Sequence, residues 1–324
     1  MADTMSDTPD HTAKPTPSNK QLVSGLTRLL TIEKRASDVH VGMPQKDGVG
    51  RVFGGQVLAQ ALQAAQASVQ GTKTAHSLHA YFLRGGREGV PIEYRIERDF
   101  DGRSFANRRV VAAQENEDGT SSPILNLTAS FQVPEDGLEH DDAPMPDVAH
   151  PDTLKSDMDM RREMADRMGD KLSVTHKALM LRPRPIEMRT IDRLHWMNSE
   201  PREPRAHTWF RTAAPVSGDA DTPALHRALI TYASDYTLLG TSALPHGLSW
   251  MRGELVGASL DHAVWFHREA RADDWLLYVT DAPWSGGGRG YNRGRIFNQA
   301  GQLIASVAQE GMMRRRKAKP AKPA

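Results

Sequence analysis

The sequence contains no cysteine among its 324 residues. Disulfides, thiolate metal ligands and a cysteine nucleophile are therefore excluded, and a reducing compartment is compatible with this composition. No stretch reaches 18 consecutive apolar residues, so no membrane-spanning helix is predicted. The N-terminus, MADTMSDTPDHTAKPTPSNK, is polar and lacks the apolar core of a signal peptide. We expect a cytoplasmic globular protein whose residues 1–20 are disordered.

The motifs of several enzyme classes are also missing. There is no G-x-S-x-G nucleophile elbow, the glycine-rich GGGRGY lacks the lysine of a P-loop, and no G-x-G-x-x-G follows a strand-like segment. His76 and His79 lie three apart in a strand-like segment, on opposite faces, and no H-E-x-x-H occurs, so a metal site is not favoured. Four further histidines show no shared spacing and are interpreted as structural: His226, His246, His262 and His267.

Charge is distributed unevenly, although the formal net charge is only +1. Six basic residues lie in the C-terminal RRRKAKPAKPA, and without them 35 basic residues face 40 acidic ones. Such a cluster can contact nucleic acid or anionic lipid. Because the segment has no large apolar side chain, we favour a solvated, disordered tail at residues 315–324 and predict no nucleic-acid partner.

Two parts of the chain share one pattern of segments. The first contains SLHAYFLRGG, IEYRIERDFDGRSFANRRVVAAQ and ILNLTASFQ, and the second contains SLDHAVWFHR, WLLYVTDAPWSGGGRGYNRGRIFN and LIASVAQEGMM. These pieces are strand-like. A helix-like segment precedes each set: FGGQVLAQALQAAQASV in the first part, and PALHRALITYASDYTLL, which ends before Gly240, in the second. The pattern indicates an α+β fold in which a unit of one helix and antiparallel strands is duplicated.

The connecting region predicts a third piece of structure. We place the first unit at residues 21–134, a linker with a helical insertion at 135–180, and the second unit at 181–314. Met160, Met164 and Met168 fall on one stripe of the inserted helix. They could form an adaptable lid over an apolar ligand, but ordinary packing of a connecting helix is favoured.

One carboxylate lies alone in the apolar segment ALITYASDYTLLG. Asp235 is the only charged residue between Arg227 and Arg252. Burial in an apolar helix would desolvate this carboxylate, raise its pKa and make it a better general base. A structural role at a helix end or in a buried ion pair is equally compatible with the segment itself.

Longer motifs carry a resemblance to a known family. RVFGGQVLAQAL, HSLHAYFLRGG and DGRSFANRRV resemble the first half of the type II acyl-CoA thioesterases, and YASDYTLLG, SLDHAVWFHR, WLLY and GRGYNRGRIFNQAGQLIASVAQEGMMR resemble the second half. The likeness covers roughly residues 22–134 and 180–314. It implies a double hotdog fold, in which two units of a long helix wrapped by an antiparallel sheet lie side by side. It also implies hydrolysis of acyl-CoA to free acid and coenzyme A without a metal or organic cofactor, and a homo-oligomer, dimer or tetramer, by analogy.

The resemblance also implies which residues hold the attacking water. The aspartate of the family's ASD motif corresponds to Asp235 and the glutamine of its QEG motif to Gln309. The hydroxyl residue, usually threonine, corresponds to Ser259. Serine and glutamine side chains can both donate and accept hydrogen bonds, as a bound water requires.

Substrate contacts are expected at the start of the first helix and on one strand. Gly54 and Gly55 would let a thioester approach backbone N–H groups that stabilise the oxyanion. His79 is a weaker candidate, since a strand histidine more often packs in the core. Three arginines near the glycine-rich loop could contact the coenzyme A phosphates, although exposed strand arginines are equally compatible: Arg289, Arg293 and Arg295.

Two other functions compete with hydrolysis. A hotdog hydratase or dehydratase would need a catalytic histidine together with an acid, and Asp235 has no histidine in its motif. A non-catalytic acyl-CoA-binding or regulatory protein could share the fold, but the retained Asp235, Ser259 and Gln309 argue against it. Release of thiol from a panel of acyl-CoAs separates the three functions.

Overall fold

The computed structural model describes residues 16–45, 50–192, 200–250 and 252–316. Its helices are α1 Asn19–Leu30, α2 Gly54–Ala67, α3 Asp157–Met168, α4 Val174–Met180, α5 Pro223–Ser234 and α6 Leu238–Thr241. Its strands are β1 Ile32–Ala36, β2 Val39–Gly42, β3 Thr74–Phe82, β4 Ile92–Asp101, β5 Phe105–Glu115, β6 Ser121–Gln132, β7 Ile186–Thr190, β8 Arg205–Thr212, β9 Leu255–Ser259, β10 Asp261–Phe266, β11 Leu276–Gly286, β12 Arg289–Asn298 and β13 Leu303–Arg315.

The strands form one antiparallel sheet that repeats its own order about the centre. Its path is β1-β2-β4-β5-β6-β3-β10-β13-β12-β11-β8-β7, and β9 pairs with β13 beside this path. β3 and β10 join the two halves, with Leu78 opposite Val264. Outward from that junction, the run β6, β5, β4 on one side matches β13, β12, β11 on the other. The duplicated unit expected from the sequence is therefore visible in the sheet.

The two long central helices, α2 and α5, pack against each other, and α2 also packs against strands of the first half of the sheet. α2 is rich in alanine and buries almost every residue, which allows a close approach of its neighbours. At Gly55 a β-carbon would lie 2.5 Å from the backbone oxygen of Tyr232 in α5. Only glycine therefore fits at this crossing of the helices.

Helix α5 ends earlier than the sequence indicates. The expectation of one helix from Pro223 to the residue before Gly240 is wrong, because α5 stops at Ser234 and Asp235 is its C-terminal cap. The Oη of Tyr278 donates to the backbone oxygen of Ser234 at 3.0 Å, and the Oγ of Ser234 donates to the backbone oxygen of Thr231 at 2.9 Å. These side-chain bonds take up carbonyl groups of the last turn, and the helix does not continue.

The chain ends are described only in part. Residues 1–15 and 317–324, which cover most of the predicted disordered N-terminus and basic tail, lie outside the described residues. Helix α1 starts at Asn19, where Ser18 and Gln21 form a capping box. In the connecting region, α3 packs on β7 and carries the three methionines half-buried along its length.

The first unit ends its helix differently from the second. Ser68 caps α2 as Asp235 caps α5, but a buried arginine adjoins it. Arg108 is fully buried; its Nε donates to Ser68 Oγ at 2.9 Å, its Nη1 donates to the backbone oxygen of Phe100 at 3.0 Å, and its Nη2 donates to Asp101 Oδ1 at 2.6 Å. A cation at the C-terminal end of a helix is electrostatically favourable, so this end of α2 is closed by a satisfied structural network.

Replacing Arg108 by methionine should destabilise the fold by about 2–4 kcal/mol, because the buried polar groups around Ser68 would lose their donors. Denaturant unfolding measures the change. Arg109→Met is the matched control, since this exposed neighbour pairs with Asp99 on the surface and should leave the unfolding midpoint nearly unchanged. Equal midpoints for the two variants would contradict the structural role of Arg108.

Candidate active site

The Asp235 carboxylate is buried where the end of α5 meets the start of α2. Its side chain is only 5% exposed. The Oδ1 atom accepts from Gln309 Nε2 at 2.7 Å and from Ser259 Oγ at 3.4 Å. The backbone N–H of Gly55 also donates to the carboxylate. Ser259 and Gln309 therefore both contact Asp235. The start of α2, which is expected to contact substrate, lies beside them.

The second carboxylate oxygen faces the start of α2. A β-carbon at Gly54 would lie 2.7 Å from Asp235 Oδ2 and 3.0 Å from the Phe82 ring. The N-cap residue of helix α2 is Phe53, whose side chain cannot accept a hydrogen bond, and the Asp235 carboxylate instead accepts from the N–H of Gly55 in the first turn. The positive end of the helix dipole is thus directed at the Asp235 carboxylate.

Burial dominates the electrostatics of Asp235. Desolvation raises its pKa from 3.8 to about 6, against the opposing effect of the hydrogen bonds from Gln309, Gly55 and Ser259. A carboxylate with such a pKa is ionised at neutral pH yet retains appreciable basicity. These are the properties of a general base near neutral pH.

A cavity of about 620 Å³ opens onto this carboxylate. Asp235, Ser259 and Gly54 line it, and so do residues of both units, which places the site between the two halves. Most of its wall is apolar: Val52, Phe53, Val57, Phe82, Leu83, Ile124, Leu239, Trp250 and Leu260. Such a wall suits a ligand with a hydrocarbon portion.

Two arginines also line the cavity, and sequence reasoning missed both. Arg84 donates to the backbone oxygen of Pro123 at 2.9 Å, and the Arg51 side chain lies near Gly85. Within the described ranges, neither arginine forms an ion pair with a carboxylate. They are basic groups available beside an otherwise apolar wall. The short strings RVF and FLRGG gave no reason to separate them from other surface arginines.

Several expected substrate residues lie elsewhere. His79 is exposed, and its ring packs edge-to-face against Trp265 at 4.9 Å, away from the cavity wall. Arg289 pairs with Glu310 at 2.9 Å and Arg293 with Asp281 at 2.6 Å. Arg295 lies over the Phe297 ring, and none of these three arginines lines the cavity.

His262, which the sequence presents as a structural histidine without shared spacing, lies beside Asp235. Its Nδ1 lies 3.9 Å from Asp235 Oδ1 and accepts from Gln309 Nε2 at 2.9 Å. Burial lowers the pKa of His262 to about 3, so the ring is neutral. Asp235 has no histidine in its sequence motif, but it has one as a neighbour in space, because β10 brings His262 beside it from 27 residues further along the chain.

The matching place in the first unit lacks these groups. The N–H groups of Leu83 and Arg84 both donate to Ile124 O, as those of His267 and Arg268 both donate to Ile304 O. Leu78 and His262 each lie five residues before the first donor, and Ala129 and Gln309 each lie five residues after the acceptor, so these residues occupy matching positions in the two units. The C-terminal caps of the two helices match Ser68 with Asp235. Carboxylate, imidazole and amide are thus replaced by a hydroxyl and two apolar side chains, and the duplicated fold has one candidate site in its described part.

Neither a metal-ligand group nor a membrane-spanning helix is found in the described part of the chain. No three His, Asp or Glu side chains in these ranges are grouped so as to hold a metal ion. Among the described helices, none is long and apolar enough to cross a membrane.

Comparisons with known proteins agree with the geometry. Residues 44–132 match the family model of the acyl-CoA thioesterase N-terminal domain, and residues 155–313 match that of the C-terminal domain. Acyl-CoA thioesterase 2 of Haemophilus influenzae is 34% identical over 90% of this chain and 98% of its own length. Human acyl-coenzyme A thioesterase 8 is 34% identical over 89% of this chain and 88% of its own.

Solved structures extend the likeness to three dimensions. The acyl-CoA thioesterase II TesB2 of Mycobacterium marinum matches with a TM-score of 0.70 and 34% identity over 90% of this chain and 99% of its own. A hot dog fold protein of Alicyclobacillus acidocaldarius matches with a TM-score of 0.69 at 16% identity over 90% and 99%, and supports the fold alone. The expected double hotdog fold is confirmed, and the chain belongs to the type II acyl-CoA thioesterase family.

Proposed function

We propose that Asp235 is the general base for the acyl-CoA hydrolysis that membership of this family assigns to the chain. The observation that carries the proposal is a buried carboxylate with a pKa of about 6 on the wall of an apolar cavity. A thioester carbonyl is electrophilic enough for direct attack by water that such a base deprotonates. No covalent intermediate is needed.

The two carboxylate oxygens have different roles in this proposal. Oδ1 is held by Gln309 and Ser259, whereas Oδ2 faces Gly54 and takes the proton of the attacking water. Gln309 does not line the cavity and is 1% exposed, so it acts on the carboxylate. Ser259 lines the cavity and can also contact the water.

The reaction then follows a balanced course. The water oxygen bonds to the thioester carbon as its proton passes to Asp235, and a tetrahedral oxyanion forms. The N–H of Gly54, which lines the cavity at the start of α2, is the donor we propose for that oxyanion, since the N–H of Gly55 bonds Asp235 and those of Gln56 and Val57 bond the backbone oxygen of Phe53. Collapse breaks the carbon–sulfur bond, and the thiolate of coenzyme A takes up the proton from Asp235. Fatty acid and free coenzyme A leave, and the base is ionised again.

Arg51 and Arg84 are the groups we propose for the phosphates of coenzyme A. They line the same cavity as Asp235, whereas Arg289 and Arg293 are paired with carboxylates outside it. Arginine is well suited to phosphate through parallel hydrogen bonds and charge. The earlier assignment to the β12 arginines remains a competing proposal that mutation can test.

The competing functions are less well supported. A hydratase or dehydratase would use a histidine that reaches substrate, but His262 is fully buried and both of its ring nitrogens are hydrogen-bonded within the protein. A non-catalytic binding protein would have no use for a desolvated carboxylate at the cavity wall. A cytoplasmic location and assembly as a homo-oligomer remain proposals from the sequence.

Asp235→Asn should lower thiol release from an acyl-CoA by roughly 10²–10⁴-fold, because the amide keeps the shape but cannot accept the proton. The assay follows free thiol in a protein shown to be folded by circular dichroism. Asp261→Asn is the control, because this carboxylate bonds the backbone N–H of Glu310 and does not line the cavity. Near-normal turnover by Asp235→Asn would remove Asp235 from the mechanism.

Activity and stability should depend on pH in opposite directions through the same group. Activity should rise as Asp235 ionises, with an acidic limb in kcat/KM near pH 6. Because the pKa of Asp235 is raised from 3.8 to about 6 in the folded state, the protonated carboxyl stabilises the fold below pH 3.8. This stabilisation is lost as pH rises through about 6, so the free energy of unfolding falls by about 3 kcal/mol at higher pH. Asp235→Asn should therefore be about 1–3 kcal/mol more stable than wild type at pH 8, with no gain near pH 4. Identical midpoints at pH 8 would show that ionised Asp235 carries no such cost.

Arg51→Ala with Arg84→Ala should raise KM for acyl-CoA several-fold at low salt and less at high salt, since screening weakens attraction to the phosphates. Kinetics at two ionic strengths measure the effect. The matched control is Arg289→Ala with Arg293→Ala, which removes the same charge from β12. If only the control pair raises KM, the phosphates lie along β12 instead.

A further inference from the structure

His262 is fully buried behind the catalytic residues and takes no part in the proposed chemistry. It does not line the cavity, so it does not touch substrate. It nevertheless bonds Gln309 on one side, at 2.9 Å, and Ser234 on the other, at 2.8 Å. A buried imidazole with both nitrogens engaged is constrained to a single tautomer.

The tautomer follows from Ser234. The Oγ of Ser234 donates its only proton to the backbone oxygen of Thr231 at 2.9 Å. It can therefore only accept from His262, so the ring proton resides on Nε2. Nδ1 of His262 is then an acceptor, and the neutral state produced by burial is the one that this arrangement requires.

The amide of Gln309 is oriented in turn. Its Nε2 lies 2.9 Å from the Nδ1 lone pair of His262 and 2.7 Å from Asp235 Oδ1. Both N–H bonds of the amide are thus used, one on each acceptor. A flipped amide would place Oε1 against a lone pair and a carboxylate oxygen, which is repulsive.

We propose that Ser234 and His262 are positioning residues, which fix the amide of Gln309 so that it donates to Asp235. This inference rests on the proposed role of Asp235 as base. The order of the chain is Thr231 oxygen, Ser234 hydroxyl, His262 imidazole, Gln309 amide and Asp235 carboxylate. The last turn of helix α5 supplies the first two groups and its C-cap residue supplies the last, so this helix end both carries the base and orients its donor.

Three titratable side chains adjoin Asp235 in the described part of the chain. Its charge acts on Tyr236, beside it at the end of α5, and on Tyr278, from β11, and His262 lies 3.9 Å away. Burial raises the pKa of both tyrosines, so both stay neutral in the working range of pH. Since His262 also stays neutral, the acidic limb of kcat/KM reports on Asp235 and its donors.

The experiment compares His262→Leu, His262→Asn and Ser234→Ala with wild type in kcat, KM and the acidic limb of kcat/KM, with an acyl-CoA as probe. In His262→Leu the amide of Gln309 loses its second acceptor and is free to rotate. We expect kcat to fall by about 10- to 100-fold with KM nearly unchanged. The acidic limb should move to higher pH, because a carboxylate that loses a donor has a higher pKa.

The conservative variants separate hydrogen bonding from packing. Asparagine at 262 can present an acceptor near the former Nδ1, so His262→Asn should recover much of kcat and return the limb toward its wild-type position. Ser234→Ala frees the tautomer and should move the limb in the same direction as His262→Leu, by less. His267→Leu is the control, because His267 bonds Ser306 on the outer surface and should leave the limb unchanged.

The outcomes are decisive even if one variant folds poorly. The inference is overturned if folded His262→Leu keeps the wild-type limb and kcat, or if His262→Asn is as impaired as His262→Leu. Should His262→Leu not accumulate, an unmoved limb in Ser234→Ala overturns it. Failure of the underlying function looks different, since it would appear as normal turnover by Asp235→Asn whatever the behaviour of residue 262.

Discussion

The structure depends on keeping a carboxylate ionised between two helices with neutral hydrogen-bond donors. Asp235 has three such donors and the positive end of α2, and among the described residues no arginine or lysine shifts its pKa. A cation would have held the pKa low and the base weak. Neutral donors stabilise the charge only in part, which leaves a pKa of about 6. The small residues at the start of α2 follow from this need, because Gly54 and Gly55 let a helix terminus come this close.

Duplication explains how such a site could arise without endangering the fold. Both units keep a central helix, the same sheet order and a capped helix end. In the first unit Arg108 fills the space next to the cap and satisfies five acceptors, which is a stabilising solution. In the second unit the residue that matches Arg108 is Asn292: it pairs with Gln309 in the sheet, as Arg108 pairs with Ala129 in the first unit. With the cation absent there, the space at the helix end can carry chemistry, while the first unit supplies rigidity and the opposing helix terminus.

Much of this could be predicted from sequence, and the failures share a physical cause. The repeat, the two long helices and the isolation of Asp235 are local patterns, and the family motifs placed Ser259 and Gln309 beside it. The end of α5 was misplaced because Tyr278, far away in sequence, caps its last carbonyl group. His262 was missed because its partners come from α5 and β13, which are distant in sequence. His79 lies on the exposed face of β3 against Trp265, and its contact with substrate stays a prediction. Arg51 and Arg84 became distinct from other arginines only when the cavity was visible.

The residues that make Asp235 a base are different from the residues that select the substrate. The donors of Asp235 come from α2, β9 and β13, and they are buried or half-buried, so they act alike on every acyl-CoA. The apolar wall comes largely from the segments that flank α2, β3 and α6, and its side chains can change without disturbing those donors. Chemistry and substrate selection therefore rest on different parts of the double hotdog. Substitutions among Val52, Leu83 and Leu239 would alter which acyl groups fit, whereas the hydrogen bonds to Asp235 from Gln309, Ser259 and Gly55 would stay in place.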